Sequence, residues 1–322
     1  MEIVLWSGPS SSILWPRNLW AHEDVCFSYS DASDGCRQIL WGFFKKLIIA
    51  DHLSTVVDPV YASPGDWTGP ELVFCTICFA FQIYCDFSAY SDIAIGTAKL
   101  FGINLMRNFA YPYFSQSISE FWRRWHISLS SWFRDYVYVP LGGNRTGALR
   151  NKINILTTFL ISGFWHGAAW NFILWGGING VATAVAGSHQ TSNEAIPGGD
   201  TLIPRISTVR RILFTFTIVC LCWIFFRAES FSDALLILQR ILLDLLNPAA
   251  YAKCLASLTG AREKAILVIS GLLIVEWLQR RNPHPLHIDA YPRTARWLVY
   301  TLLLWGIMDG VKNSQEFIYF TF

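Results

Sequence analysis

The chain has 322 residues, of which 53% are hydrophobic and 15% are charged. Soluble domains carry about a quarter charged residues, so this composition excludes an ordinary soluble protein, and the mean hydropathy of +0.35 predicts a polytopic membrane protein. The formal net charge of +2 is too small to indicate a nucleic-acid partner.

The N-terminal residues have the pattern neither of a signal peptide nor of a complete membrane span. Residues 7–12 read Ser-Gly-Pro-Ser-Ser-Ser and interrupt the apolar sequence, and no basic segment precedes it. Residues 21–37 are polar and are predicted to form a loop. The following segment, Gln38 to Val60, is amphipathic, and its charged residues favour a helix that lies at the membrane interface or is partly inserted.

A long apolar segment extends from Glu71 to Lys99 and contains two carboxylates, Asp86 and Asp92. The two aspartates are six residues apart, so they point to different faces of an ideal helix. Two interpretations stay open, namely solvated carboxylates at the end of a span and carboxylates within a span. In the second case one of them orients a polar group inside a membrane cavity.

Residues 118–137 carry apolar side chains at steps of three and four residues, which predicts one amphipathic helix. The helix is rich in tryptophan and arginine, so we expect it to lie in the headgroup region. His126 is on this helix, and an interfacial histidine is the simpler interpretation of it. The basic residues Arg145, Arg150 and Lys152 follow, and by the positive-inside rule this side is cytoplasmic.

The segment between Lys152 and Glu194 contains no Lys, Arg, Asp or Glu, and it is long enough for a membrane hairpin. His166 lies in its apolar part between Gly163 and Gly167. An ionisable group at membrane depth indicates a function by default, and burial keeps the imidazole neutral and able to accept a proton. Two interpretations stay open: a general base, and a histidine that hydrogen-bonds a carbonyl between helices.

Three further hydrophobic segments follow a polar loop: residues 212–226, 265–275 and 297–308, each short for a full span. Residues 231–246, between the first two, are amphipathic. The sequence therefore predicts an all-α fold, a polytopic transmembrane helical bundle with interfacial amphipathic helices.

No metal site is predicted. Cys75 and Cys78 form a C-x-x-C pair inside an apolar segment, where small packing residues are expected, and no second ligand pair stands at zinc spacing. We assign no role to the histidines outside the two segments above, at positions 22, 52, 189, 284 and 287. Motifs of soluble hydrolases, phosphate-binding loops and zinc proteases are absent from the sequence.

Four motifs together resemble signatures of the membrane-bound O-acyltransferase (MBOAT) superfamily, in particular its alginate O-acetylation branch. They occupy residues 84–96, 121–130, 138–144 and 163–167, and residues 317–320 resemble the C-terminus of that branch. The similarity extends from about residue 35 to the end. It differs at the front, where the family carries several more spans, so we expect residues 1–37 to be a degenerate or truncated N-terminal segment and residues 38–322 to be an MBOAT-like transmembrane acyltransferase domain.

The resemblance implies helices around a funnel-like core in the bacterial cytoplasmic (inner) membrane, in contact with membrane lipid. It implies transfer of acetyl from acetyl-CoA, a substrate rather than a bound cofactor, toward hydroxyls of an exported polysaccharide. A periplasmic or extracellular SGNH-like partner often takes part. The essential histidine of the family matches His166, and a second histidine matches His126.

The expected catalytic residues are therefore His166 and His126. Weaker candidates for substrate binding or for lining the cavity are Asp86, Asp92, Trp165, Asn171, Arg123 and Arg124. The two arginines either attract the CoA phosphates or anchor the helix at the interface. The alternative function is a non-catalytic membrane scaffold or pore subunit of a polysaccharide export or modification complex.

Overall fold

The structure is a computed structural model that describes residues 28–145, 147–186, 196 and 201–311. These residues form helices and turns and include no β-strand, which confirms the all-α prediction. The α-helices are α1 (Tyr29–Phe44), α2 (Asp51–Ala62), α3 (Gly69–Leu100), α4 (Ile118–Arg124), α5 (Ile127–Phe133), α6 (Ala148–His166), α7 (Trp170–Ala186), α8 (Ile206–Arg227), α9 (Phe231–Leu243), α10 (Pro248–Ala256), α11 (Ala261–Gln279) and α12 (Arg293–Gly310).

Helix α3 is the centre of the described structure and contacts α1, α2, α8 and α9. Its start is fixed by a capping box, in which the Glu71 carboxylate accepts hydrogen bonds from the Thr68 N–H at 3.0 Å and from the Thr68 hydroxyl at 2.8 Å. Pro70 occupies the first turn, where its missing N–H is not needed. The 32-residue helix then continues without a break past Asp86 and Asp92, so both aspartates lie within it.

Helix α1 begins at Tyr29, so the prediction of a loop up to residue 37 is wrong for residues 29–37. The Ser28 hydroxyl accepts the Asp31 N–H at 3.3 Å and caps the helix. The polar residues of this segment do not prevent a helix, because the face with Gly35 packs directly on Gly96 of α3. The expected boundary between residues 37 and 38 falls inside α1, and residues 1–27 lie outside the described part.

Three charged residues in 38–60, Lys45, Lys46 and Asp51, are buried in the protein, whereas Asp58 is exposed. Lys45 and Lys46, in the π-helical turn between α1 and α2, are 2% and 4% exposed. The Lys46 Nζ contacts the carboxylates of Asp51 and Asp86, both at 2.8 Å, and the Lys45 Nζ contacts Asp92 at 2.7 Å. The prediction that charges of this segment face an interface is therefore wrong for the two lysines, because carboxylates on α3 neutralise them inside the helical body.

Among the residues that the structure describes, two helices, α3 and α8, are long and apolar enough to cross a membrane. Helices α9 and α10, bent by 110° relative to each other, would make a third span if they cross together. The apolar segment predicted at residues 212–226 belongs to the 22-residue α8 and is not short. The amphipathic segment predicted at 231–246 is helix α9, and the segments predicted at 265–275 and 297–308 lie inside α11 and α12.

Helices α6 and α7 form a hairpin over the predicted segment and pack very closely, but neither is among the described helices that are long and apolar enough to cross a membrane. A Cβ at Gly163 would overlap the carbonyl oxygen of Phe172, and a Cβ at Gly176 would overlap that of Phe159. The glycines therefore let the two backbones touch, as small residues do between membrane helices. This contact holds the end of α6, which carries His166.

Replacing Gly163 with alanine is expected to lower the free energy of unfolding by about 1–3 kcal/mol, because the added methyl has no space against the α7 backbone. The control is Gly271→Ala, on α11, where an added Cβ meets nothing within 4 Å. That exchange should be neutral or slightly stabilising, since alanine favours helix. Thermal unfolding of both variants in detergent measures the difference, and equal melting temperatures would contradict the close packing.

Candidate active site

The predicted helix over residues 118–137 is interrupted at Trp125–His126, so that prediction is wrong in its middle. Helix α4 ends at Arg124, Trp125 is extended, and His126 has left-handed backbone angles, φ 43° and ψ 57°. Residues 134–138 then form a π-helical turn.

Helices α4 and α5 pack against other helices of the protein through their apolar residues. Phe121 is 1% and Trp125 is 5% exposed, and the Trp125 ring contacts Trp223 of α8 at 5.1 Å between centroids. Arg124 is buried as well, and its Nε donates to Glu120 at 3.0 Å. Of the tryptophans that suggested an interfacial helix, Trp125 is therefore a core residue, Trp122 is partly buried against the core, and Trp132 is half-buried.

His126 lies between two aromatic rings. Its imidazole meets Phe87 of α3 edge-on at 4.6 Å between centroids and stacks parallel to Phe109 at 6.4 Å. The ring is half-buried. Its position thus depends on α3 and on the segment that precedes α4.

His166 is the last residue of α6, where the helix ends and Gly167 turns the chain toward α7. Aromatic rings from three helices surround the imidazole: Trp165 at 4.8 Å, Trp175 of α7 at 5.1 Å and Phe226 of α8 at 5.2 Å between centroids. All three rings meet it nearly edge-on. Apolar surroundings disfavour the charged form of an imidazole, so the ring is suited to accept a proton.

Both histidines border one cavity of about 810 Å³, within the size range of small-molecule sites. Helix α6 contributes one whole face to it. The lining residues from this helix recur at steps of three and four positions: Ala148, Asn151, Lys152, Ile155, Thr158, Phe159, Ser162 and His166. Lys152 and His166 are 14 positions apart, about 21 Å along a helix, so the cavity is elongated and has a basic residue toward one end and His166 at the other.

The cavity brings together only part of the predicted site. Arg123 and Arg124 border it together with the two histidines. Asp86 and Asp92 are not among the described lining residues, because they pair with Lys46 and Lys45 on the other side of α3. Their predicted place in the cavity is corrected to a place in the buried ion pairs.

Trp165 and Asn171 are likewise not among the described lining residues. The Asn171 Nδ2 donates to the Ala228 carbonyl at 2.9 Å and ties α7 to the end of α8. Trp165 is 44% exposed and contacts the edge of the His166 ring, so it acts on the site through that histidine. Both residues support the site from outside the cavity.

Sequence reasoning missed several residues that border the cavity: Arg134, Tyr138, Asn151, Lys152, Trp175 and Phe226. The α6 face had a usable signal, since Asn151, Ile155, Ser162 and His166 fall at helical spacing. The two aromatic residues come from α7 and α8, and their approach to His166 depends on the tertiary packing.

His284 and His287, to which we assigned no role from the sequence, form a second cluster with Asp34. The Asp34 Oδ1 is 2.9 Å from the His284 Nε2 and 3.2 Å from the His287 Nδ1, a set of atoms that a metal could bridge. The Lys99 Nζ is 2.6 Å from the other oxygen of Asp34. Because Lys99 already neutralises the carboxylate, we interpret the group as a polar cluster that joins α1 and α3 to the turn after α11.

Comparisons with known proteins agree on one family. The family model described as MBOAT, membrane-bound O-acyltransferase family, matches residues 35–225. The chain is 44% identical over 202 residues to "Probable alginate O-acetylase AlgI" of Pseudomonas putida, which covers 63% of this chain and 40% of the relative. It is 40% identical over 198 residues to "Peptidoglycan O-acetyltransferase" of Helicobacter pylori, which covers 62% of this chain and 36% of the relative.

The name of a more distant relative specifies a different acyl group. The chain is 29% identical over 228 residues to "Teichoic acid D-alanyltransferase" of Bacillus subtilis, which covers 67% of this chain and 55% of the relative. The chain thus spans about 40% of the length of the alginate O-acetylase relatives that it matches.

Proposed function

Because the chain belongs to the membrane-bound O-acyltransferase family, we propose that it transfers an acetyl group from acetyl-CoA to hydroxyls of an exported polysaccharide, with His166 as the general base. The observation that carries this proposal is the elongated cavity along α6, with Lys152 toward one end and His166 at the other. Such a shape suits a donor with an anionic, phosphate-bearing head and a reactive group on a long thin arm.

The proposed chemistry needs one proton acceptor next to the thioester. His166 takes the proton of an acceptor hydroxyl, and the resulting oxygen nucleophile attacks the thioester carbonyl carbon. The carbon–sulfur bond breaks as the new ester forms, and the leaving thiolate takes the proton from the protonated His166 and departs as coenzyme A, which restores the neutral imidazole. His126 borders the same cavity, and its ring N–H is suited to stabilise the negative charge that develops on the carbonyl oxygen.

The acceptor class follows the names of the relatives, which include alginate, peptidoglycan and teichoic acid acylation. We propose an exported polysaccharide as the acceptor, reached directly or through an SGNH-like partner outside the membrane. The proposed location is the bacterial cytoplasmic membrane, with the basic end of the cavity on the cytoplasmic side, since Arg150 and Lys152 lie there. Five of the relatives are named alginate O-acetylases, at 41–44% identity, so we propose an alginate-type polymer as the first acceptor to test.

The test uses the full chain in membrane vesicles with acetyl-CoA labelled in its acetyl group. Alginate oligosaccharides and peptidoglycan fragments serve as separate acceptors, and the label on each is measured after removal of free acetyl-CoA. We expect label on the alginate oligosaccharides above a protein-free control. Label on peptidoglycan alone would overturn the acceptor class, and thiol release no faster than without protein would favour a scaffold without chemistry.

Replacing Lys152 with glutamine is expected to raise the KM for acetyl-CoA about three- to tenfold while kcat stays within about twofold, because a phosphate contact acts mainly on binding. Arg150→Gln removes the same charge two residues away, and Arg150 is not among the described lining residues. Initial rates of thiol release at several acetyl-CoA concentrations compare the two variants. An equal rise of KM in both would indicate a general field effect and no contact by Lys152.

A further inference from the structure

The backbone at His126 needs an external support. Its left-handed conformation, φ 43° and ψ 57°, is unfavourable for a residue with a side chain. Such a conformation persists where the surrounding structure holds it, and it occurs often at functional sites. The residues around the break show what holds it.

A segment just before α4 runs beside the break and bonds to both of its sides. The Ala110 N–H donates to the Arg124 carbonyl at 3.0 Å, at the end of α4, and the Ile127 N–H donates to the Asn108 carbonyl at 3.0 Å, at the start of α5. The chain on either side of His126 is therefore fixed to one short external segment.

Asn108 also caps α5 from outside that helix. The first N–H groups of a helix lack partners within it, and the side chain of the N-cap residue commonly accepts one of them. Here His126 is the N-cap and its side chain makes no such bond. Instead, the Asn108 carbonyl accepts the N–H of Ile127, and the Asn108 Oδ1 accepts the N–H of Ser128 at 3.1 Å.

The cap is anchored to the central helix. The Asn108 side chain is 8% exposed, and its Nδ2 donates to the Ser91 hydroxyl of α3 at 3.4 Å. The next residue, Phe109, stacks on the His126 imidazole. One buried residue thus connects α3, the start of α5 and the ring contact of the histidine, while the imidazole itself is left to face the cavity.

We propose that Asn108 is a positioning residue that sets the place of His126 in the cavity by capping α5 in place of His126. The inference rests on the proposed function for the role of His126, but the position of the ring is measurable without any activity. Asn108 is not among the described residues that line the cavity, so it acts through His126 and does not contact the substrates.

The test compares Asn108→Leu, which removes the Oδ1 acceptor at similar volume, with Asn108→Asp, which keeps it. Asn247→Leu is the matched control, because Asn247 caps α10 by accepting the Ala249 N–H at 3.2 Å and is not among the described lining residues of the cavity. Diethyl pyrocarbonate is added to the purified full-length protein in detergent, and the modification rate of each histidine is followed by mass spectrometry of its peptides.

In Asn108→Leu we expect His126 to react with the reagent about fivefold faster. The reason is that loss of one helix cap shifts the local equilibrium between the folded and the open start of α5 by about that factor. His166 should keep its rate in this variant, and His126 should keep its rate in Asn108→Asp and Asn247→Leu. An unchanged rate at His126 in Asn108→Leu would overturn the proposal. A rise at both histidines would also overturn it, because it would indicate general unfolding.

Thiol release from acetyl-CoA gives a second readout. Asn108→Leu should lower kcat about fivefold with an unchanged KM for acetyl-CoA, and Asn108→Asp should restore it. A protein that releases no thiol in any form would contradict the proposed function, yet the modification rates would still report where His126 lies. The failures of the two proposals are thus distinguishable.

Discussion

Replacing His166 with alanine is expected to lower the rate of acetyl transfer by a factor of about 10²–10⁴, the contribution of a general base. His166 is the last residue of α6. Its imidazole lies among the rings of Trp165, Trp175 and Phe226, and it borders the same cavity as His126. Alanine removes the proton acceptor and leaves the helix backbone unchanged. The measurement is thiol release from acetyl-CoA by the purified full chain with alginate oligosaccharides as acceptor.

The matched control for this variant is His52→Ala. His52 lies on α2, where its Nε2 contacts the Ala261 carbonyl at 2.9 Å, and it is not among the described lining residues of the cavity. This variant should keep the wild-type rate within about twofold. A His166→Ala protein that folds normally and keeps its rate would remove the general-base role from His166.

Replacing Lys46 with methionine is expected to destabilise the protein by about 3–5 kcal/mol, the effect of removing one partner from a buried ion pair. The Lys46 Nζ contacts two buried carboxylates, Asp51 and Asp86, both at 2.8 Å. Methionine keeps most of the side-chain volume, so the loss comes from the charge. Thermal unfolding in detergent, or the amount of folded protein in the membrane, measures the effect.

Lys253→Met provides the comparison for this variant. The Lys253 side chain is 59% exposed and its Nζ is 3.9 Å from Glu71, so the exchange should change stability by less than about 1 kcal/mol. Equal effects of the two lysine variants would mean that the buried pairs of Lys46 add little to stability, and that the burial of Asp51 and Asp86 needs another explanation.

The long apolar helices were the part of the fold that the sequence predicted best. The segment around residues 71–99 is recognisable because a long, mostly apolar sequence has few alternatives to a helix in a membrane, and the hairpin that carries His166 is recognisable as two helices from its uncharged sequence. The glycines at 163 and 176 allow the close contact inside the hairpin. Composition and spacing were sufficient here because the determinants are local.

The buried lysines could not be placed from the sequence. Lys45 and Lys46 were expected at an interface, which is the ordinary location of charge in an amphipathic membrane helix. Their partners Asp86 and Asp92 are about 40 residues further along the chain on α3. A pairing between two helices changes the location of all four charges together, and no local pattern reports it.

The sequence pattern also does not predict the break at His126. Apolar residues recur through the break at helical spacing, and histidine has no strong preference for a left-handed conformation. The cause is the segment around Asn108, which forms hydrogen bonds with backbone groups on both sides of His126. The pairing of His126 with His166 in one cavity follows from this tertiary contact, whereas the identity of both histidines as candidates was visible from the sequence motifs.

The most direct measurement of the central claim is the acetyl content of the exported polysaccharide in cells that carry either the wild-type chain or His166→Ala, with both proteins present in the membrane at equal levels. If His166 is the general base, the polymer is acetylated with the wild-type chain and unacetylated, at unchanged yield, with His166→Ala. Equal acetyl content in the two strains would contradict that role.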